Sequence, residues 1–411
     1  MTTRREFLRR TTALAAGAAL GGAPLRQVSA APARSLVVSA ATEGLLKDGA
    51  YEPGAVHRAF AAGLTEMTGK GTLRDAWASL VAPSDVVGIK INAIGAPKIS
   101  TSLASVRETI AGLVSAGVKE NNIVVWDRTD REVARTGLTI NKGAEGVRIH
   151  GTSTASEAIV PWVEGYDREA YVSFEDGTLK KFRELVKRDF TRTGSSRDIF
   201  NSLAWLWMLA RQGHEAAKAY GTEMSRLYSA AEDREAIKKI AEEVAGRFEG
   251  VTIPDEEKSF FSTIVTRGIT KLINIAVLKH NEDSGVTWAA KNIALGVTTN
   301  KVRFHIDYCA KAIPEILAHP CLKDKMVLHI GEAAKISVVS VAGAQIATDD
   351  RLFFSRDPVA MDKIGLDILE AKRAERGLES VRAISTHVAA CAARGLGTDD
   401  LTRIDWRKLH A

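Results

Sequence analysis

Between Lys271 and Gly296 the chain reads KLINIAVLKHNEDSGVTWAAKNIALG, and near its centre several side chains are suited to holding negative charge. Lys279, His280, Thr287, Lys291 and Asn292 all fall within fourteen residues. The short apolar run Leu272 to Leu278 predicts a buried strand that delivers Lys279 and His280 at its carboxyl end. A glycine-containing turn follows, and then a short helix carrying Lys291 and Asn292. In open α/β sheets, ligands sit beyond the carboxyl ends of strands, often at helix N-termini. The pattern therefore predicts a cationic, donor-rich pocket for a small anion. A solvated strand-to-helix turn has the same spacing and is the plain alternative.

Other residues are candidates for the same chemistry. A helix starting near His305 would place His305 and Cys309 at i and i+4 on one face, as metal ligands or a thiolate–imidazole couple. A structural histidine beside a thiol is the other reading. Asp357 precedes Pro358 and suits an N-cap, whereas Asp362, one turn further on, is not needed for capping. Lys90 and Asn92 close one predicted strand, and Asp127 and Arg128 close another.

Two apparent motifs fail. Thr68-Gly69-Lys70-Gly71 lacks both the upstream glycine of a phosphate loop and its following Ser or Thr, since Leu64 and Gly71 occupy those places. His214-Glu215 opens a zinc-protease pattern, but Lys218 stands where the second histidine belongs. The three cysteines, Cys309, Cys321 and Cys391, form no C-x-x-C pair, so there is no iron–sulfur cysteine motif and no zinc site of ordinary spacing. One disulfide plus a free thiol is compatible with export, but buried, inert thiols are expected for at least two of them. The residues leave the identity of any cofactor open.

The elements that must position these groups begin after an address. Thr3-Arg4-Arg5-Glu6-Phe7-Leu8 is a twin-arginine pattern. The Ala/Gly/Leu segment that follows is too short and too small-residued to span a membrane, and Val28-Ser29-Ala30 is a cleavage site. Residues 1–30 therefore predict a signal peptide read by the twin-arginine export machinery, a mature start at Ala31, export to the periplasm, and no stable membrane span afterwards. That segment carries five arginines and one glutamate, so removing its net +4 from the chain's +6 leaves +2. With no lysine–arginine run interleaved with aromatics, nucleic-acid binding has no support.

The mature chain of about 380 residues reads as a single α/β domain, 31–411, with a mostly parallel sheet covered by helices on both faces. Leu36 to Ala41, Val86 to Ile94, Asn122 to Trp126, Met326 to Ile330 and Leu352 to Phe354 are predicted strands. Val106 to Ala116 has helical spacing, and the strand–helix–strand unit around it predicts a right-handed crossover. Helices are expected from Pro358 to about Arg376 and from Ser380 to Arg394, with a tail holding Trp406 packed on the sheet. Residues 171–254 differ in character, with helical stripes at Ile199, Phe200, Leu203, Trp207 and Ala210 and at Ile237, Ile240, Val244 and Phe248. They predict a helical insertion in which Trp205 and Trp207 serve as core or pocket.

Seven segments together resemble a known family, the domain-of-unknown-function family numbered 362, in its twin-arginine-exported branch. They are VGIKINAI, STSLASVRETIAGLVSAGV, NNIVVWDR, TKLINIAVLKH, GVTWAAKN, RFHIDYC and FFSRDPVAMDKIGLDILEAKRAERGL. The resemblance spans most of the mature chain outside the helical insertion. It implies an α/β fold and a polar site built from Lys90, Asn92, Thr101, Asp127, Lys279, Thr287, Lys291, Asn292, His305, Cys309, Asp357 and Asp362. It implies no established reaction. Fusions to ferredoxin-type domains elsewhere in the family hint at redox work, which this chain's cysteines do not support. The family's histidine falls where Asn281 stands here, and its acidic residue with a Gly-Gly-Pro loop becomes Glu332 without that loop. Both departures imply a changed or degraded substrate site.

Three functions follow from these residues. The first is an exported enzyme acting on a small carboxylate or phosphate, with Lys90, Lys279 and Lys291 orienting the anion. In it Asp357 or Asp362, with His305, handles protons or a metal, and a buried lysine acts as base. The second is a non-catalytic periplasmic binding protein for the same ligand. The third is a scaffold whose insertion docks a partner chain. Catalysis requires a strongly perturbed lysine or histidine, whereas binding alone does not.

Overall fold

The long apolar strand predicted after Thr270 occupies the middle of the sheet, and its near-continuous burial requires cover on both faces. The computed structural model describes residues 34–154, 162–174, 206, 209–210, 213–229, 239–240, 243, 246–248, 251 and 254–411. The expected signal segment 1–30, Trp205, Trp207 and most of the expected helical insertion lie outside these residues.

The strands are β1 (Ser35–Ala41), β2 (Leu46–Lys47), β3 (Ala50–Tyr51), β4 (Val87–Lys90), β5 (Ile123–Thr129), β6 (Arg148–Ser153) and β7 (Tyr166–Ser173). They continue as β8 (Lys258–Ser262), β9 (Lys271–Asn281), β10 (Gly285–Thr287), β11 (Met326–Ser337), β12 (Ile346–Ala347), β13 (Arg351–Ser355) and β14 (Ile404–His410). The main sheet runs β14-β1-β13-β11-β9-β4-β5-β6, with β10 added to β9 and β12 to β11. Only β13 and the two short additions run against the common direction, so the protein is an α/β fold with a mostly parallel sheet.

Helices α1 (Pro53–Thr68), α2 (Leu73–Ala78) and α3 (Leu103–Ser115) cover one face, where Phe60, Trp77 and Leu113 meet Ile89, Val125, Ile273 and Ile330. Short helix α4 (Asp130–Arg135) follows β5, and α5 (Glu215–Ser229) falls within the expected insertion. Helices α6 (Ala289–Gly296), α7 (Ala312–Ala318), α8 (Pro320–Lys323), α9 (Pro358–Ala374) and α10 (Thr386–Ala393) come later in the chain. From the opposite face, Trp288, Ile293, Ile313, Met361 and Val388 pack with Leu272, Ala276, Leu278 and Phe353.

Several boundaries move for physical reasons. Helix α3 begins three residues before Val106, because the Ser102 hydroxyl accepts from the Ser105 amide and caps it. Tyr171 to Ser173 belong to β7, which pairs antiparallel with β8, so the start of the expected insertion is strand. Strand β9 runs on to Asn281 because β10 folds back against it, pairing Thr287 with Lys279. Lys279 and His280 therefore stand inside a strand. The tail with Trp406 joins the sheet as edge strand β14, parallel to β1. The last expected helix is shortened to α10, with a 3₁₀ turn at Arg382–Ile384 before it.

Trp288 locks the entry to α6. A Cβ at Gly331 of β11 would lie 2.3 Å from its ring, and one at Gly365 of α9 would lie 2.2 Å from it. The indole also meets Phe353 edge-on at 5.0 Å between centroids. Two glycines thus form the slot that sets where α6 starts. Replacing Gly365 with Ala should destabilise the fold by about 1–3 kcal/mol through overpacking, read as a lower urea midpoint with an unchanged m-value. An unaltered midpoint would show that the slot yields freely.

Candidate functional site

Parallel strands β4, β5 and β9 end side by side, and each carries polar residues to the same edge. Lys90 is buried, and its Nζ donates to Asp127 Oδ1 at 2.7 Å and to the Ile91 carbonyl at 2.6 Å. Asp127 also accepts from the Ala93 amide at 2.7 Å and the Arg128 amide at 2.8 Å. Burial pushes the Lys90 ammonium down against the pull of Asp127. At Asp127, burial is outweighed by Lys90, Arg128 and these donors, and its carboxyl is held below the ordinary range. The aliphatic stem of Lys90 fits against α6 because position 296 is glycine, where a Cβ would lie 2.3 Å from Lys90 Cε.

Lys279 is fully buried and has a different set of neighbours. Its Nζ donates to Asn92 Oδ1 and, at 2.7 Å, to the Ile94 carbonyl. Among the described residues, no carboxylate lies within the 4.0 Å of an ion pair. Burial, together with the charges of Lys90, Arg128 and Lys291, brings it down to about 7 against the opposing pull of Asp127. The Asn92 amide is fixed from behind. Its Nδ2 donates to Asn292 Oδ1 at 2.8 Å, and Asn292 Nδ2 donates to Asn274 Oδ1 at 2.7 Å. Asn274 in turn reaches the Ala289 carbonyl at 3.0 Å and His329 Nδ1 at 3.1 Å. Thr101 holds the loop after β4, accepting from the Asn92 amide and donating to the Ile275 carbonyl, both at 2.8 Å. Thr287, opposite Lys279 in the β9–β10 pair, is buried with no partner for its Oγ1.

Helix α6 brings in Lys291 and Asn292. Its N-cap residue, Trp288, supplies no side-chain acceptor. Asp362 of α9 does so instead, accepting from the Ala289 amide at 2.6 Å and the Ala290 amide at 3.2 Å. Burial drives this carboxyl up to about 8, and His387 Nε2 stands 3.9 Å away, neutral because burial lowers it to about 3. Lys291 Nζ donates to Asn281 Oδ1 at 2.9 Å and to the Ser284 hydroxyl, and burial lowers its pKa.

Four expected roles change. Asp357 caps α9 through the Val359 and Ala360 amides and accepts from Ser35 Oγ. Because β13 runs antiparallel, Asp357 stands past the opposite edge of the sheet from Lys279, and it leaves the candidate site. Asp362 positions α6 rather than facing a ligand. The face expected to carry His305 and Cys309 does not form, because Val302–Asp307 is a 3₁₀ turn and Tyr308 and Cys309 have φ of 58° and 64°. Among the described residues, no group of three His, Cys, Asp or Glu side chains could hold a metal ion. His280 bonds the Val339 carbonyl and tethers the loop after β11. None of the three cysteines forms a disulfide, and Cys309 and Cys391 are buried.

Asn274, His329, Asn281 and Ser284 were absent from the expected set. Asn274 interrupts the apolar run of β9 and His329 that of β11, and a polar residue inside a buried strand is the signal that marks them. Nothing local marks Ser284 as a partner for Lys291.

Residues 214–367 match the model of the family described as Domain of unknown function (DUF362), which supports the family resemblance across the segment holding Lys279, Lys291 and Asp362. No curated protein matches the chain. Among solved structures, the crystal structure of a Thermotoga maritima protein is similar over 81% of this chain and 61% of its own, at 10% identity and a TM-score of 0.34. The chain thus spans less than two thirds of that protein's length.

Lys279 couples the site to pH. An ordinary lysine near 10.5 that is held near 7 when folded binds fewer protons in the folded state between those values. Stability therefore rises with pH across that window, by about 1.4 kcal/mol for each unit of depression before any relaxation. Chemical denaturation from pH 6 to 10 should show this rise in the native protein and a flatter profile in Lys279→Met. Parallel profiles would mean that Lys279 is charged in the fold.

Proposed function

We propose that this chain is an exported enzyme acting on a small anionic molecule, a carboxylate or phosphate, at the carboxyl ends of β4, β5 and β9. One observation carries the reading. Lys279 is held near 7 first by burial and then by the charges of Lys90, Arg128 and Lys291, against the pull of Asp127. An anion entering there relieves repulsion that the fold itself maintains. Thr287 Oγ1, buried without a partner, adds an unused donor on the same strand pair. A lysine near neutrality, in a site lacking a carboxylate partner for it, favours catalysis over simple binding, since binding alone needs no such tuning. The roles are Lys279 as base or nucleophile, Lys291 and Lys90 as electrostatic clamps, and Asn92, Asn292 and Thr101 as the frame. A non-catalytic binding protein for the same anions is the competing reading.

Thermal unfolding of the chain from Ala31 onward tests the anion site. Saturating oxalate or phosphate should raise the Tm by about 5 °C, and Lys291→Met should remove most of the rise. If neither carboxylates nor phosphate shift the Tm, the reading is wrong. If they stabilise Lys279→Met as well as the native chain, the balance moves to a binding protein.

The twin-arginine pattern at Thr3–Leu8 supports export of the folded chain to the periplasm, in the corresponding branch of the family. Periplasmic fractions should yield protein beginning at Ala31, and changing Arg4 and Arg5 together to Lys should leave it in the cytoplasm. A chain retained with Met1 in the unaltered protein would refute this.

A further inference from the structure

Lys279 has two partners, as the other two site lysines do, but differs from them in the kind of partner. Lys90 has a carboxylate and a carbonyl, and Lys291 has an amide oxygen and a hydroxyl that can also donate. Lys279 faces two oxygens that can only accept, Asn92 Oδ1 and Ile94 O. A neutral amine has two N–H groups and one lone pair. Both hydrogens then have acceptors and the lone pair is uncommitted, whereas an ammonium would bury a third N–H without one. The orientation of Asn92 is set by the chain through Asn292 to Asn274, so its oxygen, not its nitrogen, faces Lys279. Thr287 stands opposite Lys279 on the same face of the strand pair, its hydroxyl unpartnered.

We propose that Lys279 is an amine nucleophile that condenses with the carbonyl of a small 2-oxo acid and holds it as an imine. This rests on the anion-site reading above and names its substrate class. The lone pair of Nζ attacks the carbonyl carbon, forming the C–N bond as the C=O π bond opens onto oxygen. Both amine hydrogens then leave with that oxygen as water, so no oxidant or further reactant is required. Lys291, with a third N–H beyond Asn281 and Ser284, takes the neighbouring carboxylate. Thr287 Oγ1, unpartnered and opposite Lys279 in the strand pair, is the donor assigned to the oxygen of the carbinolamine. The depressed basicity of Lys279, near 7, keeps a large neutral fraction at physiological pH.

The test uses the chain from Ala31 onward with glyoxylate and sodium cyanoborohydride at pH 7, read by intact mass and peptide mapping. The expected result is one dominant reduced adduct on Lys279, suppressed by excess oxalate and absent in Lys279→Arg. Asn92→Asp is the second variant, nearly isosteric and safer for folding. A carboxylate against Lys279 raises its pKa by about 1–3 units, so trapping at pH 7 should slow by about tenfold or more and recover at higher pH. Adducts spread over exposed lysines and indifferent to both substitutions would overturn the proposal. Absence of any adduct while oxalate still raises the Tm would overturn the imine alone. Absence of both would overturn the anion site with it.

Discussion

Everything at the carboxyl edge of this sheet depends on one buried ion pair, Lys90 with Asp127, at 2.7 Å. Two charges out of water are tolerable only when their remaining hydrogen-bonding capacity is met. Here the Ile91 carbonyl accepts a second hydrogen of Lys90, and the Ala93 and Arg128 amides donate to Asp127. Those same bonds fix the path of the chain leaving β4 and β5. They set where Asn92 and Ile94 lie, and hence where Lys279 finds its two acceptors. Losing either member would leave an uncompensated charge, a loss of about 3–5 kcal/mol, and would release the loop at the same time.

The pair is embedded in a row of amides rather than in a hydrophobic plug. Asn92, Asn292 and Asn274 pass hydrogen bonds from β4 through α6 to β9, and His329 extends the row to β11. Burial holds His329 neutral, its pKa pushed down to about 3, so the row is polar but carries no net charge of its own. Such a network is costly if one member is left unmet and rigid when all are satisfied. Charge is thereby confined to the lysines, Asp127 and the Arg128–Glu132 pair. At Lys279 the pull of Asp127 is then set against the charges of Lys90, Arg128 and Lys291.

Helix α6 is held from outside itself. Asp362 reaches across from α9 to its first amides, and Trp288 is seated between Gly331 and Gly365. The helix carries Lys291 and Asn292 into the site, and its Gly296 admits the stem of Lys90. Glu332, the acidic position in β11, accepts from the backbone and hydroxyl of Ser102 at the start of α3, and burial raises its pKa. Two buried carboxylates thus organise helix starts around the site, one on each face of the sheet.

Periodicity and burial determined much of this in advance. The apolar run after Thr270, the helix ending before Gly117 and the Asp357-Pro358 cap are local patterns, and local patterns decide element type. Proximity of Lys90, Asn92 and Asp127 also follows from two adjacent parallel strands. Tertiary structure decided the rest. Whether Asp357 joined the site depended on β13 running antiparallel, which no local spacing encodes. Asp362 became a cap because α9 crosses the start of α6, and a helix pattern does not say what lies beside it. His305 and Cys309 lost their shared face to left-handed residues at 308 and 309. The sequence by itself placed Lys90 and Lys279 toward the carboxyl ends of predicted strands. Only the packed sheet decided which of them kept a carboxylate and which, Lys279, was left with two carbonyl oxygens, because counter-charges come from chains brought together over long range.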